Sequence, residues 1–320
     1  MPLKAKPVIW MNGKLVDYDD AKIHVLSHVV HYGSSAFEGI RAYATPKGTA
    51  IFRLDLHTQR LIDSCKIARI DIPYTYQQLM DATTETVRAN GGIACYIRPV
   101  VYRGHKTLGV NPTGVPVDVA IATLNWGKYL GKDALDHGIA CKVSSWRRAA
   151  PDTFPSLAKT GANYMNSQLV KLEAITDGYQ EGIALDSFGF IAEGSGENIF
   201  LVRNGVLHTP TIASAILPGI TRDTVITLAR DLGMEVREEQ IPRECLYISD
   251  EVFLTGTAAE ITPITTIDRL PVGNAKVGPV TRRLQEAFFD VIEGRARDRH
   301  GWLFPITARA KVQRAAKKAR

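Results

Sequence analysis

The segment IFLVRNGVLH (residues 199–208) reads as two apolar strand segments, Ile199–Val202 and Val206–His208, around Asn204-Gly205. Asn-Gly suits the type I′ hairpin turn, because both central residues need positive φ and these two residue types tolerate it best. The same signal recurs near the N-terminus, where Asn12-Gly13 lies between Val8–Met11 and Lys14–Val16. Antiparallel hairpins are therefore part of the sheets at both ends of the chain. Between and beyond them, helical periodicity marks Leu56–Ile70, Tyr76–Ala89, Asn163–Asp177, Thr221–Leu232 and Val277–Glu293. Strands are expected at Ala94–Tyr102, Val117–Thr123, Ile139–Ser144, Gly182–Asp186 and Phe190–Ala192. Helices mixed with hairpins predict an α/β (mixed α+β) fold with mixed or antiparallel sheets, not a doubly wound parallel sheet.

The chain has 320 residues, long for one compact core and comfortable for two α/β domains. Residues 124–137 (LNWGKYLGKDALDH) break the regular pattern. The expected division is a smaller N-terminal α/β domain over 1–124, an interdomain loop over 125–137, a larger C-terminal domain over 138–306 and a basic tail over 307–320. Hydrophobic residues make up 45% and charged residues 22%, which excludes a disordered chain. No stretch approaches the ~18 consecutive apolar residues of a membrane helix, and Met1 to Gly13 holds no secretory h-region. A cytoplasmic protein is expected.

The net charge of +6 suggests nucleic acid until it is located. Arg309, Lys311, Arg314, Lys317, Lys318 and Arg320 carry the whole excess; without them, 33 basic residues face 33 acidic ones. The tail reads as a solvated extension, and nucleic-acid binding through it is the non-enzymatic alternative. Cys65, Cys95, Cys141 and Cys245 form no C-x-x-C pair, and His28 and His31 lack an H-E-x-x-H context. No metal is expected. The absence of G-x-G-x-x-G and Walker loops argues against dinucleotide or ATP binding through those devices.

Five local patterns could carry chemistry, and each is ambiguous alone. Strand alternation puts Tyr96 and Arg98 on one face of Ala94–Tyr102, either as a sheet-surface pair or as a fork for a carboxylate. Pro218-Gly219-Ile220-Thr221, opening a helix, is either an ordinary cap or an anion cup suited to phosphate. Thr255-Gly256-Thr257-Ala258-Ala259 offers small residues that let a ligand approach the backbone. Glu193 is an exposed turn acid or a partner for a buried cation, and Lys159, near Tyr164, is solvated or a desolvated amine able to attack an aldehyde. Spacing does not choose between these readings.

The segments HYGSSAFEGIRAY (31–43), CYIRP (95–99), SSWRRAAPDTFPSLAKTGANY (144–164), GYQEGIALD (178–186), AEGSGENIF (192–200), LPGITRD (217–223) and DEVFLTGTAAEITPI (250–264) follow one another in a characteristic order. Together they resemble the branched-chain amino acid aminotransferase family, fold-type IV enzymes of pyridoxal 5'-phosphate, over residues 8–306. The resemblance implies transfer of the amino group of L-leucine, L-isoleucine or L-valine to 2-oxoglutarate, in a homodimer or a dimer-based hexamer. Lys159 becomes the Schiff-base lysine, Glu193 the partner of the pyridine nitrogen and Tyr164 the donor to the ring oxygen. Arg60, Gly219, Ile220, Thr221 and Thr257 become the phosphate site. The substrate carboxylate is assigned to Tyr96 and the Thr257–Ala258 backbone. Tyr32, Phe37, Trp126, Tyr129, Tyr164 and Ala259 line the side-chain pocket, with Arg98 meeting the second carboxylate of glutamate. D-amino acid aminotransferase and aminodeoxychorismate lyase, of the same fold type, share Lys159 and Glu193 and are the enzymatic alternatives. Two departures touch neither acid nor lysine: Arg103–Leu108 is unusually basic, in a loop that reaches the neighbouring subunit's site in that family, and Ser156-Leu157 is bulky.

Overall fold

The structure, a computed structural model, describes residues 7–127, 130–131 and 133–306. The basic tail and Tyr129 lie outside the described residues. Strands β1 (Val8–Met11), β2 (Lys14–Asp17), β3 (Ser35–Phe37), β4 (Ile40–Thr45), β5 (Gly48–Phe52), β6 (Cys95–Arg103) and β7 (Val117–Leu124) build a first sheet. Its order is β5-β4-β6-β7-β1-β2, with β3 paired to β6. The short helix α1 (His28–Tyr32) and helices α2 (Leu54–Ile67) and α3 (Tyr76–Ala89) accompany it. Leu61, Cys65, Leu79 and Val87 from α2 and α3 join Ile40, Ile97, Val101 and Ile121 of the sheet in one core. Each such apolar side chain contributes roughly 1.5–3 kcal/mol on burial. α3 starts at a capping box in which Thr75 accepts from the Gln78 N–H and the Gln78 side chain accepts from the Thr75 N–H.

A second sheet follows, of β8 (Ile139–Arg147), β9 (Glu181–Leu185), β10 (Ile191–Gly194), β11 (Asn198–Arg203), β12 (Val206–Pro210), β13 (Val236–Glu239), β14 (Glu251–Gly256), β15 (Glu260–Ile267) and β16 (Leu270–Pro271). Its order is β10-β9-β8-β15-β14-β11-β12-β13. β8 runs parallel to β9 and to β15, and β12 parallel to β13, while the remaining pairs are antiparallel. The sheet is mixed, as expected. Both Asn-Gly turns form: Asn12 and Gly13 take φ of 48° and 90°, Asn204 and Gly205 51° and 76°.

With this sheet go α4 (Ala134–His137), α5 (Tyr164–Thr176), α6 (Ile220–Asp231), α7 (Cys245–Ile248) and α8 (Pro279–Ile292). A last strand, β17 (Leu303–Pro305), pairs with β5 of the first sheet. The stretch 138–306 is therefore not wholly within the second sheet's unit: its end crosses back. Phe52 of β5, Phe288 of α8 and Trp302 share a core in edge-on ring contacts at 5.7 and 6.0 Å. That cluster ties the two sheets together beside the cleft between them.

Two helix starts differ from the periodicity. α2 begins at Leu54, not Leu56, because Arg53 takes φ of 50° and sets the chain into the helix while its guanidinium holds Asp223 at 2.8 Å. It ends at Ile67, and Arg69, with φ of 55°, turns the chain away. α5 begins at Tyr164, after a 3₁₀ turn over Gly161–Asn163.

Candidate active site

The cleft between the sheets holds a cavity of about 250 Å³. Phe37 enters it from β3, Tyr96 and Arg98 from β6, Arg60 from α2 and Trp126 from the segment after β7. From the other side come Lys159 and Tyr164, the start of α6 at Gly219, Ile220 and Thr221, and the β14–β15 turn with Thr257, Ala258 and Ala259. Residues separated by more than 200 positions in sequence thus face one space.

The loop that carries Lys159 is fixed by the first sheet. The Phe37 N–H donates to the Lys159 carbonyl at 3.0 Å, and the Lys159 N–H donates to Ser64 Oγ on α2 at 2.9 Å. Lys159 is half-buried, with Nζ 2.5 Å from the Tyr164 hydroxyl and 5.0 Å from the centres of the Phe37 and Tyr164 rings. An amine over two aromatic faces with one polar partner is partly desolvated, the condition for attack on a carbonyl carbon.

Glu193 lines an adjoining cavity, also of about 250 Å³, which shares Tyr164, Gly196, Glu197, Asn198 and Leu217 as walls with the first. Its Oε2 accepts from Asn198 Nδ2 at 3.2 Å and from the Leu217 N–H at 3.1 Å. Arg148 Nε lies 3.1 Å from Oε1, an ion-pair contact in which the N–H is not aimed at the oxygen. Burial raises the Glu193 pKa, against the opposing pull of Arg148, the Leu217 N–H and Lys159. Arg148 is itself pinned by the carbonyls of Gly194 and Ser195, at 2.6 and 3.0 Å. Motif reading found Glu193 but missed Arg148 and Asn198, although both stand inside the quoted segments 144–164 and 192–200.

In the first cavity, Gly219 caps the start of α6 and offers no side chain to its first turn. N–H groups of a helix's first turn lack intrahelical acceptors, and the positive end of the dipole favours an anion. Arg60 stands alongside, its Nη1 donating to the Pro218 carbonyl at 3.0 Å. Two buried atoms of cavity-lining residues, Thr255 Oγ1 and Arg98 Nε, have no hydrogen-bond partner among the described residues. Such orphans need a ligand to complete them. The donors therefore suit a phosphate, an amine lines the same cavity, and an acid stands in the adjoining one. That set fits pyridoxal phosphate. Among the described residues, no group of three or more His, Cys, Asp or Glu could hold a metal ion.

Tyr96 and Arg98 do share a face, with Arg98 Nη2 donating to the Tyr96 hydroxyl at 3.1 Å. Arg98 also lies over the rings of Phe37 and Trp126, at 4.7 and 5.9 Å, and Trp126 meets Tyr96 edge-on at 4.5 Å. The result is an aromatic pocket with one cationic edge. Tyr32 departs from expectation: it is exposed, does not line the cavity of its own chain, and accepts from the Gly109 N–H at 3.1 Å. It belongs to α1, which ends at Gly33 before β3 enters the cleft.

A family model described as amino-transferase class IV matches residues 35–267. The branched-chain-amino-acid aminotransferase of Salmonella typhimurium is 52% identical over 309 residues, covering 96% of this chain and 100% of that protein. A crystal structure of the Escherichia coli branched-chain amino acid aminotransferase superposes with a TM-score of 0.93 at 51% identity, over 94% of this chain and 100% of that one. The branched-chain amino acid aminotransferase from Thermobaculum terrenum, solved in its PLP form, gives 0.86 at 37% identity, over 94% and 98%. With a matched family model over most of its length and such relatives end to end, this chain belongs to the class IV aminotransferases, among the branched-chain-amino-acid aminotransferases.

Proposed function

We propose that the chain transfers the amino group of L-leucine, L-isoleucine or L-valine to 2-oxoglutarate, with pyridoxal 5'-phosphate held by the residues of the cleft. The contact that carries this reading is Lys159 Nζ on the Tyr164 hydroxyl, in a pocket that Arg60 and the Gly219–Thr221 turn also line, next to the cavity of Glu193. When bound, the cofactor supplies a carbonyl that takes up the amino group and a ring that accepts electrons from the substrate Cα. Lys159 would take the proton from Cα and give it back, as base and then acid, at the carbonyl carbon that the cofactor supplies, across the nitrogen from Cα. Tyr164 holds the ring oxygen, and Glu193 holds a proton at the ring nitrogen, oriented by Arg148 and the Leu217 N–H. Arg60, the Gly219–Thr221 turn and Thr257 hold the phosphate.

For the substrate, Tyr96 and the Thr257–Ala258 backbone take the α-carboxylate. Phe37, Trp126, Tyr164 and Ala259 close on a branched side chain, whose burial contributes on the order of 1.5–3 kcal/mol. Arg98 meets the second carboxylate of glutamate, so one pocket serves both substrates. Tyr32 and Tyr129 belong to this reading too; Tyr32, which faces away from its own cavity, completes the site of a second copy in a homodimer or dimer-based hexamer. The first sheet is the smaller domain and 125–137 the loop that joins it to the cofactor-binding domain. The four cysteines are free thiols, which suits action in a reducing compartment, the cytoplasm. No described helix is long and apolar enough to cross a membrane.

Lys159→Ala tests the assignment. Its visible absorption as a lysine-linked cofactor should vanish and its turnover of L-leucine with 2-oxoglutarate should fall about 10³-fold or more. Survival of substantial activity overturns it. Assaying D-alanine and aminodeoxychorismate beside L-leucine on the unaltered chain separates the same-fold alternatives.

A further inference from the structure

Behind the anion cup lies a buried carboxylate that the reaction does not use. Glu38 follows β3 and is wholly inaccessible to solvent. His57 and Arg60, three positions apart on α2 and hence on one face of it, both reach it. Arg60 donates from Nε to Oε1 at 2.6 Å and from Nη2 to Oε2 at 2.9 Å; His57 Nδ1 is 2.7 Å and the Gly39 N–H 3.1 Å from Oε2. Burial alone would raise the carboxyl's pKa, but Arg60 and His57 hold it well below the usual carboxylate range. An ionised carboxylate only accepts, so the His57 proton sits on Nδ1. Burial, aided by Arg60 and Lys159, lowers the imidazole's pKa against the pull of Glu38, which keeps the ring neutral.

This arrangement leaves Arg60 few hydrogens with which to act. Glu38 fills the Nε/Nη2 edge, and the Pro218 carbonyl, two residues before α6, takes one Nη1 hydrogen. Two hydrogens remain, one on each of Nη1 and Nη2, on a residue that lines the cavity. The Glu38 charge also cancels that of Arg60, so the guanidinium recognises an anion by directed hydrogens rather than as a bare cation.

We propose that Glu38, backed by His57, is the positioning residue that turns the two free hydrogens of Arg60 to the cofactor's phosphate, so that phosphate affinity depends on a carboxylate that never touches the cofactor. This rests on the reading of the cleft as a pyridoxal phosphate site. Glu38→Gln keeps the shape and removes the bidentate, charge-assisted grip on Arg60.

The full-length chain, freed of cofactor, is titrated with pyridoxal phosphate and separately with pyridoxal, which lacks the phosphate. Visible absorption of the lysine-linked ring is the readout for both. For Glu38→Gln the expected result is binding of pyridoxal phosphate weakened about 10- to 100-fold, the loss of one or two charge-assisted hydrogen bonds, with pyridoxal changed less than about threefold. His57→Gln should act in the same direction and less. Equal weakening of both ligands, or no change in either, overturns the proposal, since a merely structural role cannot single out the phosphate. If Glu38→Gln does not fold, the same comparison on His57→Gln decides. If the unaltered chain shows no absorption with pyridoxal phosphate, the reading of the cleft itself has failed, not the role of Glu38.

Discussion

Arg41 on β4 and Glu260 at the head of β15 form an ion pair of 2.9 Å that joins the two sheets. Tyr43 donates to the same Glu260 oxygen at 3.1 Å, and Arg41 Nη2 donates to the carbonyls of Trp126 and Gly127 at 3.2 and 3.1 Å. One guanidinium thus ties a strand of the first sheet to the segment after β7 and to the turn that carries Thr257–Ala259. Glu260 takes φ of 55°, a left-handed conformation that a non-glycine residue keeps only when its surroundings impose it.

Arg41→Met removes that tie and leaves Glu260 buried beside Tyr43 without its cation. Removing one partner of such a pair costs about 3 kcal/mol where it is well buried. The expected outcome is a several-degree fall in Tm, with KM for both L-leucine and 2-oxoglutarate raised about tenfold. The cofactor's absorption should stay, because Lys159 and the anion cup are held by other contacts. Glu260→Gln should be milder, since its amide oxygen still accepts from Tyr43. Steady-state kinetics on both substrates checks this; unchanged KM values would show that the tie does not shape the pocket.

Gly39 supplies a second, steric test. A Cβ at this position would lie 1.9 Å from the Tyr96 hydroxyl. Tyr96 is buried, bonded to Arg98 and packed on Trp126, so it has little room to withdraw. Overpacking of this kind costs about 1–3 kcal/mol. Gly39→Ala should therefore raise KM for every amino acid tested about 10-fold or more, because in the proposed function Tyr96 takes the α-carboxylate common to all of them. A change confined to glutamate would instead place the damage at Arg98.

The hairpins at Asn12-Gly13 and Asn204-Gly205 were legible because a two-residue turn is a local event. So was the shared face of Tyr96 and Arg98, which follows from the period of a strand. The anion cup at Gly219–Thr221 was visible only as one of two readings, since a first turn looks the same whether it caps a helix or binds a ligand. What supports the ligand reading is Arg60, which topology brings to the Pro218 carbonyl from 158 positions away. The partners of Glu193 were hidden for the same reason: Arg148 reaches it from just beyond β8 and the Leu217 N–H from the loop before α6. The role given to Lys159 came from resemblance, because a lysine ahead of a helix has no pattern of its own. Tyr32 could not be placed by alternation, for it stands on a five-residue helix that ends before the cleft.

Glu197 supplies a pH test. It is buried in the wall shared by the two cavities, and its Oε2 accepts from the Gly196 N–H at 3.1 Å. Burial, and then the nearby carboxylate of Glu181, push its carboxyl up to about 8 from the ordinary 4.5; Lys171 and Arg148 oppose this. Glu181 is itself paired with Lys171 Nζ at 2.8 Å. Between about 4.5 and 8 the folded chain keeps a proton that the unfolded chain releases. Stability attributable to this group is therefore full below the lower value, falls as pH rises through the window, and is lost above the upper one. Glu197→Gln keeps the shape, carries no titrating proton and should abolish this part of the pH dependence. Urea midpoints of the cofactor-free chain at pH 5.5, 7 and 8.5 provide the measurement. The unaltered chain should lose ground to Glu197→Gln steadily as pH rises, with the variant the more stable at pH 8.5. Parallel curves would show that Glu197 is ionised in the folded chain, and that the charge of this wall is met by Lys171 and Arg148 instead.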